Sequence, residues 1–250
     1  MDTHCHLFLM EDEPAVAVEA ARAAGVDRVI CVGVDVHSSQ RSLEMADALP
    51  GVFATAGVHP HDAASFDAEA SSAIEGLLFD PRIVAVGECG LDYFRMHSPI
   101  EDQRRTLAIH VAMSNGSGKP MVVHVRDAWD DTLSLLEAEG AERVVIHCFS
   151  GDVAIATECA ARGWWLSFAG NVTYPKSEHL RQAAASVPDA LLLVETDAPY
   201  LSPQTRRGRA NAPEHVLLTL ESLAKIRGTS ASELASTTAQ NARRAFPGLG

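Results

Sequence analysis

The chain is 250 residues long, 47% hydrophobic and 6% aromatic, with a formal net charge of −13. That length suits a single domain over 1–250, and the lack of any apolar run near the roughly 18 residues of a membrane span excludes a helical membrane protein. The acidic balance opposes broad attraction to a polyanion, yet two divalent cations would add about four positive charges at one place and reverse it locally.

Short runs rich in Val, Ile, Leu and Ala recur at 1–7, 28–34, 51–58, 83–89, 120–125, 143–148, 164–168 and 190–195. Near-continuous apolar runs of this length fit parallel strands covered on both faces. Helical patterns lie between them. Over 127–140, Trp129, Leu133 and Leu136 recur at helical spacing and Gly140 is placed to end the helix. Gly25 and Gly163 stand just before new strands, and Ser230 with Glu233 forms a capping-box pattern opening the last helix. Eight alternating βα units predict an α/β fold, the (β/α)₈ TIM barrel of the metal-dependent hydrolases. Residues 198–212 and 169–178 are long loops on the face where barrel enzymes build their sites. The first strand has little chain before His4, so either it is short or the natural start lies upstream; a barrel needs its lower half closed.

Residues 1–10 lack the basic start and apolar stretch of a signal peptide, so a cytoplasmic location is expected, with no membrane partner. The five cysteines, Cys5, Cys31, Cys89, Cys148 and Cys159, are expected as reduced thiols. Cys5, Cys89 and Cys148 each adjoin a candidate ligand. Strand alternation turns their side chains toward the surrounding helices.

The candidate ligands fall at or just past the ends of strand-like runs. His4 and His6 share a face at i and i+2 and could clamp one ion, although an HxH pair also suits two partly exposed histidines. Glu88 ends a buried run between Gly87 and Gly90, where small residues let backbone or metal approach; it is positioned either to bridge two ions or to pair with an arginine. His124 and His147 end consecutive strands, which suggests a shared ion, while each alone would suit a hydrogen-bonded core histidine. Asp197 ends the eighth strand, which in a closed barrel lies beside the first. It could ligate or accept a proton from the attacking water. The segment 204–209 is basic, and it reads either as a solvated loop or as a local contact for a polyanion.

The segments DTHCHL (2–7), GVHPH (57–61), GECGLDY (87–93), HVRDA (124–128), HCFSG (147–151), TDAPYL (196–201) and RGRANAP (207–213) resemble, in this order, the TatD-like metal-dependent deoxyribonucleases of the amidohydrolase superfamily. The resemblance spans nearly the whole chain. It implies a binuclear centre in which His4 and His6 hold one divalent ion, His124 and His147 the other, Glu88 bridges, and Asp197 completes the first and serves as general base. Asp197 and Glu88 are thus the expected catalytic residues. His59 and His61, with Arg126 and Tyr200, would face the substrate. Departures from the family pattern are Phe8 for an acid, Ala212 for an acid, and Gly116 and Gly118 where a helix usually continues.

By resemblance the expected reaction is hydrolysis of a DNA or RNA phosphodiester, a 3′-to-5′ exodeoxyribonuclease in the first instance, by a monomer. His and carboxylate donors suit Zn²⁺, Mn²⁺, Fe²⁺ or Ni²⁺, with Mg²⁺ at the more oxygen-rich position. A second reading keeps the ions and cuts carboxyl esters or amides, as related barrels do. Many of those bridge the ions through a modified lysine on strand four or five, and here only Lys119, ahead of strand five, is near. A third, a non-catalytic scaffold, fits poorly with a complete ligand set.

Overall fold

The computed structural model describes residues 1–249. Eight strands, β1 Asp2–Cys5, β2 Val29–Val32, β3 Val52–Ala56, β4 Ile83–Asp92, β5 Met121–Arg126, β6 Val144–Ile146, β7 Trp165–Phe168 and β8 Leu192–Val194, form one parallel sheet in chain order. Between them run α1 Pro14–Ala23, α2 Val36–Ala48, α3 Ala68–Leu77, α4 Ile100–Ser117, α5 Trp129–Ala138, α6 Val153–Ala161 and α7 Glu178–Ser186, followed by α8 Val216–Arg227 and α9 Ala231–Ala245. This is the (β/α)₈ barrel that the apolar runs predict. No helix among the described residues is long and apolar enough to cross a membrane.

The seam between β8 and β1 is nearly closed, and largely by side chains. Cys5 bridges Ala198 in parallel, and the His6 amide donates to the Ala198 carbonyl at 2.7 Å. Deeper in the seam, the Thr3 hydroxyl donates to the Val194 carbonyl at 2.9 Å, and the buried Asp2 carboxylate accepts the Thr196 amide at 2.9 Å and its hydroxyl at 2.5 Å. Burial raises the Asp2 carboxyl to about 7 although both Thr196 donors oppose the shift.

The lower end of the barrel is filled from the other terminus. Phe246 and Leu249, just past α9, pack with the inward side chains Ile30, Val84, Val122, Val145 and Leu193, and Met1 joins them. Burying each of these two contributes about 1.5–3 kcal/mol. The Asn241 amide anchors α9 there, donating to the Leu192 carbonyl at 2.8 Å. α9 opens on a capping box, in which Ser230 accepts the Glu233 amide at 3.2 Å, and Arg243 and Arg244 sit in its last turn at the negative end of the helix dipole.

Several boundaries differ from the sequence reading. The fourth strand runs to Asp92 rather than stopping at 89, because it resumes pairing with β5 (Gly90 with His124, Asp92 with Arg126) after a register shift between Val86 and Cys89. Glycine is required at that shift. A Cβ at Gly57 would strike the Gly87 backbone, and one at Gly90 the His124 carbonyl, with Gly90 at φ +142. Gly116 does not break α4, which continues to Ser117 and ends at Gly118 in the left-handed conformation.

Candidate metal centre

All six predicted ligands converge at the C-terminal end of the strands, around Glu88. Its two oxygens face different partners. Oε2 lies 3.3 Å from His4 Nε2 and 3.8 Å from His6 Nε2. Oε1 lies 2.9 Å from His147 Nε2, 3.1 Å from His124 Nδ1 and 3.4 Å from His59 Nε2. Asp197 Oδ1 closes the first group, 3.4 Å from His6 Nε2 and 3.8 Å from His4 Nε2. No arginine pairs with Glu88 among the described residues, which removes the salt-bridge alternative.

The hydrogen bonds behind the rings fix which nitrogens are bare. His6 Nδ1 lies 2.9 Å from the Val32 carbonyl, so it carries the proton and leaves the Nε2 lone pair facing the centre. His147 Nδ1 faces Glu195 Oε1 at 3.2 Å, again leaving Nε2 inward, and His124 turns Nε2 to Asp92 at 3.4 Å with Nδ1 inward. Rings braced by a carbonyl or carboxylate on the far nitrogen are the usual posture of metal-bound histidine. The His4 and His6 Nε2 atoms sit 3.3 Å apart, and those of His124 Nδ1 and His147 Nε2 3.2 Å apart. Converging lone pairs beside the buried Glu88 and part-buried Asp197 carboxylates call for cations between them, so the donor set fits divalent metal.

Electrostatics point the same way. Burial alone would push the Glu88 carboxyl up, but the rings around it, His147 first and His124 with it, outweigh burial and hold it well below the ordinary range. Asp197 is likewise lowered, burial being overcome by His6 and then His4. Against their burial, the carboxylates in turn raise His147, His124 and His6, so without metal the positive charge that balances Glu88 and Asp197 sits on the rings, and bound cations would take its place and free the ring lone pairs.

The four substrate candidates are placed differently from one another. His59 is deep rather than at the mouth. Its Nδ1 accepts the His61 amide at 3.1 Å, so Nε2 carries the proton toward Glu88, and burial holds the ring neutral, well below the usual histidine value. His61, Arg126 and Tyr200 line the same cavity of about 730 Å³, with Tyr200 half exposed and 6.2 Å from the His6 ring. The basic segment 204–209 does not line that cavity: the Arg206 guanidinium donates to His215 Nε2 from Nε at 3.1 Å and Nη2 at 2.9 Å, and Arg207 covers Tyr174.

Three further acids were not singled out by sequence reasoning. Glu195 takes the His147 ring and the Cys148 amide, the latter at 2.8 Å. Asp92 faces both His124 and His61, the latter at 3.0 Å. Asp2 ties β1 to Thr196. Glu195 follows directly on an apolar run, the signal that marks Glu88, whereas Asp2 opens β1 and Asp92 lies beyond the register shift of β4. Asn211 in the RGRANAP segment is buried and donates to the Thr196 and Tyr200 carbonyls, both at 2.8 Å, which fixes the loop carrying Asp197.

One expectation fails. Cys5 and Cys89 do point away from the centre, donating to the Ile30 and Val122 carbonyls, but Cys148 faces the cavity, where its sulfur meets the Asn171 amide at 3.8 Å. Strand alternation does not reach it, because β6 ends at Ile146 and Cys148 has φ +43. All five thiols are free.

Eight parallel strands that gather histidine and carboxylate donors at their C-terminal ends define a metal-dependent hydrolase barrel. The family model described as "TatD related DNase" matches residues 1–247. A metal-dependent hydrolase of Mycobacterium tuberculosis, TatD, is 39% identical over 260 residues, covering all of this chain and 98% of that protein. A protein of Escherichia fergusonii named 3′-5′ ssDNA/RNA exonuclease TatD is 36% identical over 236 residues, 92% of this chain and 91% of that one. Among solved structures, the TatD homologue YjjV of Escherichia coli superposes with a TM-score of 0.93 at 28% identity, covering 98% of this chain and 97% of that one. The chain belongs to the TatD-related DNase family and is a metal-dependent hydrolase.

Proposed function

We propose that this protein removes nucleotides from the 3′ end of single-stranded DNA, with RNA as a second substrate, using two divalent cations held on either side of Glu88. The observation that carries this reading is the division of the Glu88 carboxylate, one oxygen toward His4, His6 and Asp197 and the other toward His124 and His147. When bound, such a pair of ions polarises the phosphoryl oxygens and activates water. The chain's own residues then have distinct tasks. Asp197, ionised and beside His6, accepts the proton of the attacking water. Neutral His59 offers an N–H at the floor of the cavity, and His61 and Arg126 offer further donors to a phosphate. Glu195 and Asp92 keep the rings of His147 and His124 turned inward. Residues 1–250 act as one domain, as a monomer, in the cytoplasm. Mg²⁺, Mn²⁺ or Zn²⁺ suits the donors.

The lysine-bridged amide and ester hydrolases offer no matching feature here. Lys119 donates to the Ile83 carbonyl at 2.5 Å, at the opposite end of the barrel from Glu88. The reading is tested by incubating metal-stripped protein with 5′-labelled single-stranded DNA, with and without Mg²⁺ or Mn²⁺, beside Glu88→Gln and Asp197→Asn. A ladder shortening from the 3′ end that needs metal and both carboxylates is expected. Folded, metal-loaded protein that leaves the DNA intact and cuts a carboxyl ester would overturn it.

A further inference from the structure

One exposed aromatic ring carries two guanidinium groups that line the cavity, and of the three side chains only Arg126 has so far been given a part, as a phosphate donor. Phe94, in the turn after β4, is 56% exposed. The guanidinium carbon of Arg126 lies 4.0 Å from the centre of its ring and that of Arg95 5.7 Å. Among the described residues neither arginine pairs with a carboxylate. By contrast, Arg104 and Arg105 on the adjacent α4 are bound to Asp131 and Asp102 at 2.6 and 2.5 Å. In a chain of net charge −13, two guanidiniums without a carboxylate partner gathered on one exposed ring form a local cationic patch.

Their position is fixed from the centre itself. Asp92 Oδ1 accepts the amides of Phe94 and Arg95 at 2.9 and 2.8 Å, while its Oδ2 faces His61 and His124. Arg126 lies two residues past His124 on β5, and both arginines line the cavity. One carboxylate therefore sets the distance between the ring and the donors around Glu88.

We propose that Phe94 and Arg126 form a stacking platform for one unpaired nucleobase next to the bond that is cut, with Arg95 and Arg126 facing the phosphates beside it. This rests on the nuclease reading above and adds to it a source of strand preference. A base can lie on the ring only when it is out of a duplex, and every base offers a π face, so the platform selects single strands with little regard to sequence. Arginine suits the place because its planar cation stacks on the aromatic face while its edges donate to phosphate. The same geometry would arise if Arg126 merely shielded Phe94 from water, and base dependence separates the two.

The test uses wild type and Phe94→Leu, which keeps an apolar side chain and removes the π face, both metal-loaded and with matched melting temperatures. Steady-state rates are measured on single-stranded oligonucleotides with normal 3′-terminal nucleotides and on matched ones carrying an abasic residue at each of the last three positions in turn. We expect Phe94→Leu to lose about 5- to 150-fold in kcat/KM, mostly through KM, the range set by one stacked base. At one abasic position, wild type falls to the level of the variant and the variant loses nothing further. Arg126→Lys, which keeps the charge and loses the planar group, shows a loss in the same direction. Equal rates for wild type and Phe94→Leu on every substrate, or a loss the same with and without the base, would overturn the platform while leaving the nuclease reading intact. Wild type that cuts no single strand would overturn both.

Discussion

Acidifying the protein from pH 6.5 to pH 4 loads a proton demand onto a histidine that the fold keeps neutral. His110 on α4 is fully buried; its Nε2 accepts the Val58 amide at 3.0 Å and its Nδ1 donates to the Thr106 carbonyl at 2.8 Å, with Phe66 packed against the ring. Desolvation lowers it from 6.5 to about 4, the Thr106 carbonyl opposing only in part. The folded value is below the unfolded one, so the unfolded chain takes up the proton first. The contribution to stability is complete above pH 6.5 and is lost as the pH falls through the window to 4. A shift of about 2.5 units at 1.36 kcal/mol each puts the loss near 3 kcal/mol at pH 4, roughly one proton's slope across the window. The check is urea unfolding at half-unit steps from pH 7 to 4, comparing wild type with His110→Gln, whose side-chain oxygen can still accept the Val58 amide. The variant should start less stable but lose about 3 kcal/mol less on acidification, since every other titrating group is common to both. Parallel stability curves would refute the assignment of a neutral buried imidazole at this position.

Four further outcomes follow from the geometry. Gly90→Ala forces a Cβ into the His124 carbonyl at φ +142 and should cost about 2–5 kcal/mol of stability by denaturant melt. Glu195→Gln leaves His147 Nδ1 without a charged partner and should weaken metal binding about 10- to 100-fold by titration calorimetry. Ser230→Ala removes the N-cap of α9 and should lower the urea midpoint by an amount worth about 1 kcal/mol, with activity unchanged. Chelation of bound metal should lower the melting temperature of wild type, because Glu88, Asp197 and the four inward ring nitrogens lose the cations they would bind, and Glu88→Gln should reduce that response.

The barrel, and the histidines and acids that gather at its rim, were legible because each rests on a local signal. A run of branched apolar residues marks a strand covered on both faces, and a histidine or acid at its end marks the catalytic rim, so His4, Glu88, His124, His147 and Asp197 could be placed without contacts. What escaped depends on geometry that alternation does not carry past a strand's end. Cys148 turns into the cavity only because the chain leaves β6 two residues earlier. Asp92 belongs to the centre only because β4 resumes pairing after the shift at Gly87, and nothing in GECGLDY announces the resumption. Glu195 carries the buried-acid signal as clearly as Glu88 does, yet Asp197 two residues on draws the eye; a consistent use of the desolvation argument would have marked both. The floor of the barrel is a long-range matter, closed by Phe246 and Leu249 from the far end of the chain.

The central claim is that Glu88 stands between two cation positions. Crystals of the protein equilibrated with Mn²⁺ and measured at the manganese absorption edge test it directly. The account predicts two anomalous peaks flanking the Glu88 carboxylate, one beside His4, His6 and Asp197 and the other beside His124 and His147, with both weakened in Glu88→Gln. A single peak in the fully loaded protein, or peaks that do not touch Glu88, would contradict it.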